Sequence, residues 1–239
     1  MAKSLAEQTT SELGGPTSVL VRQKRDHVEL DRLLDAIDGA AGSEREALLE
    51  QLARLVFPHA FAEESVLWPA IRRLLPDGGE LTLRIEREHQ EINELFAEIE
   101  KTDPASTQHR EVWSRIKALL REDVRDEEDV LLPKLQAATS QPRLKMLGHS
   151  WEMARRIAPT RPHPVVARRP PGNVVAAAPL MVIDRTRDRL DRVSRRSTGR
   201  LTTSARNLSA ALARAAGVVE HIPLLTRGEH SSTRSPRVT

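Results

Sequence analysis

Residues 59–71, HAFAEESVLWPAI, align without a gap on residues 123–135, DVRDEEDVLLPKL. In both, an ionisable side chain (His59, Asp123) is followed four residues later by Glu-Glu (Glu63-Glu64, Glu127-Glu128), then by Val-Leu and by a proline (Pro69, Pro133) at matching offsets. A second pair of segments repeats in the same way, Arg25-Asp26-His27-Val28-Glu29-Leu30 against Arg87-Glu88-His89-Gln90-Glu91-Ile92. The chain therefore holds two related helical hairpins. A pseudo-twofold between them brings one set of ionisable groups from each half to a common axis.

Around these segments apolar residues recur at helical spacing in four stretches, separated by short breaks rich in Gly, Pro, Asp and Ser. The first stretch opens after Gly14-Gly15-Pro16 and runs to about Asp38, with Leu30, Leu33, Leu34 and Ile37 as its buried stripe. The second starts near Ser43, whose hydroxyl suits an N-cap with Glu46 three residues on, and ends at about Leu75. The third spans about Glu80 to Glu100, and Asp103-Pro104 turns the chain into the fourth, about Ala105 to Ala138. With no alternating strand pattern, residues 17–138 are expected to form an all-α bundle. A fifth helix from about Pro142 to Ile157, with Leu144, Leu147 and Trp151 on one side, makes residues 139–158 a packing helix over the bundle. Residues 1–16 are expected to be disordered. Residues 159–239 read as a Pro/Arg-rich linker (Pro159 to Asn173), two weaker helices (about Val174 to Ser194 and Leu201 to Val218) and a disordered last dozen.

Of the 239 residues 39% are apolar, there is no tyrosine, and the core must be mostly aliphatic. The chain has no cysteine, which excludes disulfides, thiolate nucleophiles and Cys-based zinc or iron–sulfur sites. No run of eighteen apolar residues and no secretory leader stands in the sequence, so a cytoplasmic protein is expected. The net charge of +3 hides an asymmetry: 20 basic residues against 28 acidic up to Leu147, and 17, all Arg, against 6 beyond it. Arg185, Arg189, Arg192 and Arg196, three or four apart, would form a basic stripe suited to anionic lipid, nucleic acid or an acidic protein, although a solvated face is the more common outcome of such spacing.

His59 and Glu63, four residues apart, project from one helical face, as do Asp123 and Glu127; His27 and His89 fall in line with core leucines and isoleucines. Ionisable groups on the inward faces of four helices are costly unless they share a compensating partner, and a central cation supplies one. Mixed imidazole and carboxylate donors suit iron or manganese, with zinc less favoured. Because a carboxylate can bridge two ions, Glu63 and Glu127, one from each half, are the natural bridges. Glu64 and Glu128 are turned about 100° away around the helix. They read either as groups supporting the ligands or as a solvated face, and the solvated face is favoured. Phe57, Phe61, Trp68 and Trp113 are candidates for an apolar shell controlling access.

The set His27, His59-x-x-x-Glu63-Glu64 with Leu67-Trp68-Pro69, Glu88-His89, and Glu127-Glu128 with Leu131-Leu132-Pro133 resembles the hemerythrin-like, or HHE cation-binding, domain. The tail RPHPVVARRPPGNVV with DRTRDRL resembles the C-terminal extension of hemerythrin-like proteins of actinobacteria. The resemblance implies an antiparallel up-down-up-down bundle and a pair of non-haem iron ions bridged by an oxo or hydroxo group and by glutamates. It also implies a small diatomic ligand or peroxide as partner: O2, nitric oxide or peroxide carried, sensed or turned over. Metal ligands would be His27, His59, Glu63, His89, Asp123 and Glu127.

Asp123 departs from the family pattern, which has His there. Three His and three carboxylates favour the ferric state, pointing towards oxidative or peroxide chemistry, or to a weaker second metal site. His109 cannot stand in, lying about 21 Å back along the same helix. Pro58, before His59, either aims that ring or breaks the helix. The histidines at 149, 163, 221 and 230 read as non-ligands. Two function classes follow: a di-iron protein acting on or sensing a small molecule, and a metal- or redox-sensing module that signals to a partner through the Arg-rich tail without catalysis.

Overall fold

The computed structural model describes residues 3–235. Ser18 opens α1 (Val19–Gly39), its hydroxyl accepting the Leu20 N–H at 3.3 Å. The two-residue link Ala40-Ala41 folds the chain straight back into α2 (Gly42–Ala62), so these helices are antiparallel neighbours. Ser43 lies inside the first turn of α2 and does not cap it. The rod passes through a π-helical turn (Glu63–Leu67) into α3 (Trp68–Leu74). The second hairpin repeats the plan with α4 (Gly78–Ile99), α5 (Thr107–Asp126), a π-helical turn (Glu127–Leu131) and α6 (Leu132–Ala138). Ser106 caps α5 by accepting the His109 N–H at 3.0 Å.

Recurrence of Pro69 and Pro133 has a structural cause. Proline has no N–H, and inside a regular helix its ring would strike the carbonyl four residues back. The turn before each proline is widened, so that Trp68 and Leu132 donate to the carbonyls of Glu63 and Glu127, five residues back. Pro58, in contrast, sits within α2, which continues through it unbroken.

Two apolar clusters fill the bundle. One holds Leu20, Phe61, Leu67, Trp68, Ile71, Ile85, Leu131, Leu135 and, from outside the four rods, Leu5, Leu13, Leu144 and Trp151. The other holds Leu30, Leu34, Ile37, Leu52, Phe57, Ile92, Phe96, Trp113, Ile116 and Leu120. Along every rod the sequence passes from one cluster to the other across His27, His59–Glu63, His89 or Asp123–Glu127, so these residues form a polar layer between two greasy ones. The molecule is all-α among its described residues, a bundle of four helical rods with extra helices.

Of the extra helices, α7 (Gln141–Ile157) lies on α1 and α2 and buries Leu144, Leu147 and Trp151. Beyond it, residues 159–171 run without regular structure into α8 (Gly172–Arg196) and α9 (Arg200–Glu220), which pack as a hairpin on Val166, Ala176, Leu180, Ala216 and Leu225. The disorder expected at both ends is not found in the described residues. Leu5 and Leu13 are buried in the first cluster, and Leu225 and Thr233 are buried in the extension. The expectation for residues 1–2 and 236–239 falls outside the described residues. Complementary charge explains the docking of the extension: Arg195 pairs with Glu50 (2.8 Å), Arg169 with Glu86 (2.6 Å), and Arg161 and Arg187 approach Glu100 (3.7 and 4.0 Å). The basic tail lies on the acidic body of its own chain.

Candidate metal centre

All six residues singled out in the sequence meet in the polar layer. His27 and His59 present their Nε2 atoms 3.3 Å apart. Glu127 Oε2 lies 3.2 Å from His27 Nε2, and Glu63 Oε1 3.2 Å from His59 Nε2. Each carboxylate turns its other oxygen to the opposite side, where His89 Nε2 stands 3.6 Å from Glu63 Oε2, 4.0 Å from Glu127 Oε1 and 3.6 Å from Asp123 Oδ1. Two groups of donor atoms could each hold an ion, His27/His59/Glu127 and Glu63/His89/Glu127, the atoms within each lying no more than 4.8 Å apart. Glu127 belongs to both, and the first group mixes residues from both sequence repeats. The division is therefore by side of the layer, not by hairpin.

Outer groups fix the imidazoles. His27 Nδ1 donates to Glu128 Oε1 at 2.8 Å and His89 Nδ1 donates to Glu64 Oε1 at 3.0 Å, which leaves each Nε2 free to bind. Asp26 Oδ2 is 3.5 Å from His59 Nδ1, and Gln23 Nε2 donates to Glu63 Oε1 at 2.7 Å. The solvated face expected for Glu64 and Glu128 is thus overturned: both are buried and act on the histidines. The π-helical turns begin at Glu63 and Glu127, so a regular helical projection does not describe the paths of Glu64 and Glu128. Gln23 and Asp26 were missed; both lie within a turn of His27 on the buried face of α1.

The electrostatics fit a cation. Burial, the strongest influence on Glu127, together with Glu63 and Asp123 pushes its carboxyl up to about 8. Burial by itself would favour neutral imidazole at His27, yet Glu127 and Glu128 raise it to about 9. His59 and His89 stand well above the usual histidine value, against burial, because of Glu63 with Asp26 and of Asp123 with Glu64. Glu63 is drawn down despite its burial by His59, His89 and His27. Four carboxylate oxygens here, Glu63 Oε2, Glu127 Oε1 and Oε2 and Asp123 Oδ1, are buried without a hydrogen bond. Carboxyl oxygens without hydrogen bonds, set against imidazole Nε2 atoms, make the donor set of a metal site, which a cation would complete by displacing the protons they hold.

A cavity of about 60 Å³ opens on this layer, with room for a ligand of a few atoms. The bundle supplies His27, His59, His89, Asp123, Phe57 and Phe61, and the C-terminal extension supplies Arg161, His163, Val166, Arg168, Asn173 and Leu180. His163 donates its backbone N–H to Asn93 Oδ1 at 2.7 Å, and Gln90 Nε2 donates to Pro164 O at 3.0 Å, fastening the extension to α4. Asn173 Nδ2 reaches Ser65 Oγ at 3.2 Å in the first π-helical turn. These roof residues were not legible as part of the site, having read as a linker or, for Leu180, as a weaker helix. Among the apolar candidates, Phe57 and Phe61 line the cavity, and Trp68 stacks on His89 with ring centroids 6.3 Å apart. Trp113 has another task, donating its indole N–H to Asp38 at 2.8 Å, about three helical turns along α1 from His27. His109, buried elsewhere on α5, pairs with Thr102 Oγ1 at 3.0 Å.

A profile of the hemerythrin HHE cation binding domain matches residues 19–135, about half of the chain. A hemerythrin-like protein of Schizosaccharomyces pombe is 24% identical over 135 residues, which cover 56% of this chain and 66% of that protein. The chain thus spans about two-thirds of that relative's length. No solved structure matches it. Through residues 19–135, the four rods that carry the polar layer, the chain belongs to the hemerythrin HHE cation-binding family.

Proposed function

We propose that the bundle holds two non-haem iron ions and that the protein acts on or senses O2, nitric oxide or peroxide there. The observation that carries this reading is the set of buried carboxylate oxygens without hydrogen bonds, set against the Nε2 atoms of His27 and His89. His27 and His59 would serve one ion and His89 with Asp123 the other, and Glu63 and Glu127 would serve both. Imidazole and carboxylate in equal number suit iron better than zinc or magnesium, and manganese is the second choice. Iron bound here would supply redox electrons and an open position for a diatomic or peroxide ligand.

The chain's own residues do the rest. Glu128 and Glu64 hold the rings of His27 and His89 in the tautomer that presents Nε2. Phe57, Phe61, Val166 and Leu180 keep bulk water out of the cavity, and its size restricts entry to a molecule of a few atoms. The second reading, a metal- or redox-sensing module that signals through the extension, is supported by one observation: the extension and the histidines line the same cavity.

The test is anaerobic iron loading followed by metal analysis and an optical spectrum. Close to two irons per chain with oxo-to-iron charge-transfer bands after oxidation is the expected result, and fewer than about 0.2 iron per chain without such bands would sink the proposal. Peroxide turnover by the loaded protein separates action from sensing.

A further inference from the structure

The arginines that form a stripe on α8 do not stand alone in the folded chain. Arg185, Arg189 and Arg192 line an open groove of about 360 Å³ together with Arg54 from α2 and Arg155 and Arg156 from α7. Carboxylates are too few to neutralise these six. Glu152 is shared by Arg22 (3.0 Å), Arg155 (3.2 Å) and Arg156 (2.9 Å), Asp26 by Arg25 (3.1 Å), His59 (3.5 Å) and Arg155 (3.8 Å), and Glu50 by Arg54 (2.9 Å) and Arg195. Asp188, the acidic residue of the groove, is taken by Thr160 Oγ1 and Arg161. Arg185 and Arg192 donate to the backbone carbonyls of Arg156 and Asp188, and Arg189 is exposed with no side-chain partner among the described residues. Guanidinium groups from three separate helices thus converge on one cleft with a surplus of positive charge.

We propose that this groove binds a linear chain of phosphate groups, as found in tripolyphosphate or in the triphosphate of a nucleotide. The planar fork of arginine matches phosphate oxygens, and several arginines facing one cleft match several phosphates. Arg185 and Arg192 are seven residues apart, about 10 Å along the helix, a span that one phosphate cannot cover. Apart from the arginines and Asp188 the lining is Pro58 and Thr160. With no aromatic ring to stack a base and no aliphatic side chain to enter a lipid layer, the groove favours phosphate chains over single-stranded nucleic acid or a membrane. The proposal is independent of a metal at the bundle centre.

Calorimetric titration of the full chain with tripolyphosphate, ATP and inorganic phosphate, at about 0.15 M salt, tests it. One saturable site is expected for tripolyphosphate, at least about tenfold tighter than for phosphate. Replacing two of the exposed arginines, R189A with R192A, is expected to weaken it at least about tenfold, and R143A, on α7 outside the groove, is expected to leave it unchanged. Equal affinity for ATP assigns recognition to the phosphate chain alone, and tighter ATP binding assigns a nucleotide; both outcomes support the site. The proposal is overturned if about 1 mM tripolyphosphate gives no saturable heat. It is equally overturned if R189A/R192A, folded as judged by circular dichroism, binds as the parent does, or if anionic vesicles bind while tripolyphosphate does not.

Discussion

His27 and His89 occupy equivalent places in the two hairpins, but their surroundings differ. Each ring leans on a glutamate from the opposite hairpin, His27 on Glu128 and His89 on Glu64. Glu64 has a cation over it, with Arg168 Nη1 from the extension 3.9 Å from its Oε1. Asp123 takes the place that His59 holds in the first repeat, so one side of the layer has two imidazoles and the other has one imidazole and a carboxylate. Carboxylates behind ligating histidines typically set metal affinity by about 10- to 100-fold. Glu128→Gln is therefore expected to lower iron affinity by roughly that factor with the helical content unchanged, as measured by competition with a chelator. An affinity equal to the parent's would place Glu128 outside the support of the centre. Asp123→His, which restores the second imidazole, is expected to move the charge-transfer bands of the iron-loaded protein, and an unchanged spectrum would remove Asp123 from the ligand set.

The four rods could be read from the sequence because leucine and isoleucine recur at helical spacing through each, and because the two repeats confirm one another. Five of the six central residues stood out for the same reason, as polar interruptions of an apolar stripe, and Asp123 by its alignment with His59. The π-helical turns could not be read: a proline inside a helix signals a disturbance, but not that the preceding turn widens by a residue. The extension was hidden for a different cause. Its buried apolar residues are mostly alanine, Ala167, Ala176, Ala177, Ala205 and Ala216, and its prolines and arginines imitate the composition of an unfolded linker. The docking of α7 rests on a close approach that its sequence shows only as one glycine. A Cβ at Gly148 would meet the Thr17 carbonyl and come within 2.8 Å of Val19 N, backbone that cannot move without shifting the start of α1. Gly148→Ala is expected to destabilise the fold by about 1–3 kcal/mol, as overpacking does, read by chemical unfolding. A stability equal to the parent's would show that α7 gives way freely.

At the scale of the whole chain, an acidic bundle and a basic extension close on one another, and His163 lies where they meet. Its ring is buried, with Nε2 3.0 Å from Asp184 Oδ2 and Nδ1 2.8 Å from Glu220 Oε1, so both nitrogens donate and the imidazolium form is held. Burial alone would favour the neutral ring, yet Asp184 and Glu220 raise its pKa to about 9, from 6.5 for a free side chain. Because the folded value is the higher one, the stability contributed by His163 is complete below about pH 6.5 and is lost as the pH rises through about 9. The difference amounts to roughly 3 kcal/mol between the two limits. His27, His59 and His89 titrate in the same direction when no metal holds them, so the comparison that isolates His163 is between the parent and His163→Gln, both loaded with metal. Urea unfolding at about pH 6.5 and about pH 9.5 is expected to show the parent losing markedly more stability than the variant, since only the parent has this proton to release. Parallel losses in the two proteins would mean that His163 is neutral in the folded chain and that the extension is held by its arginine pairs and apolar contacts alone.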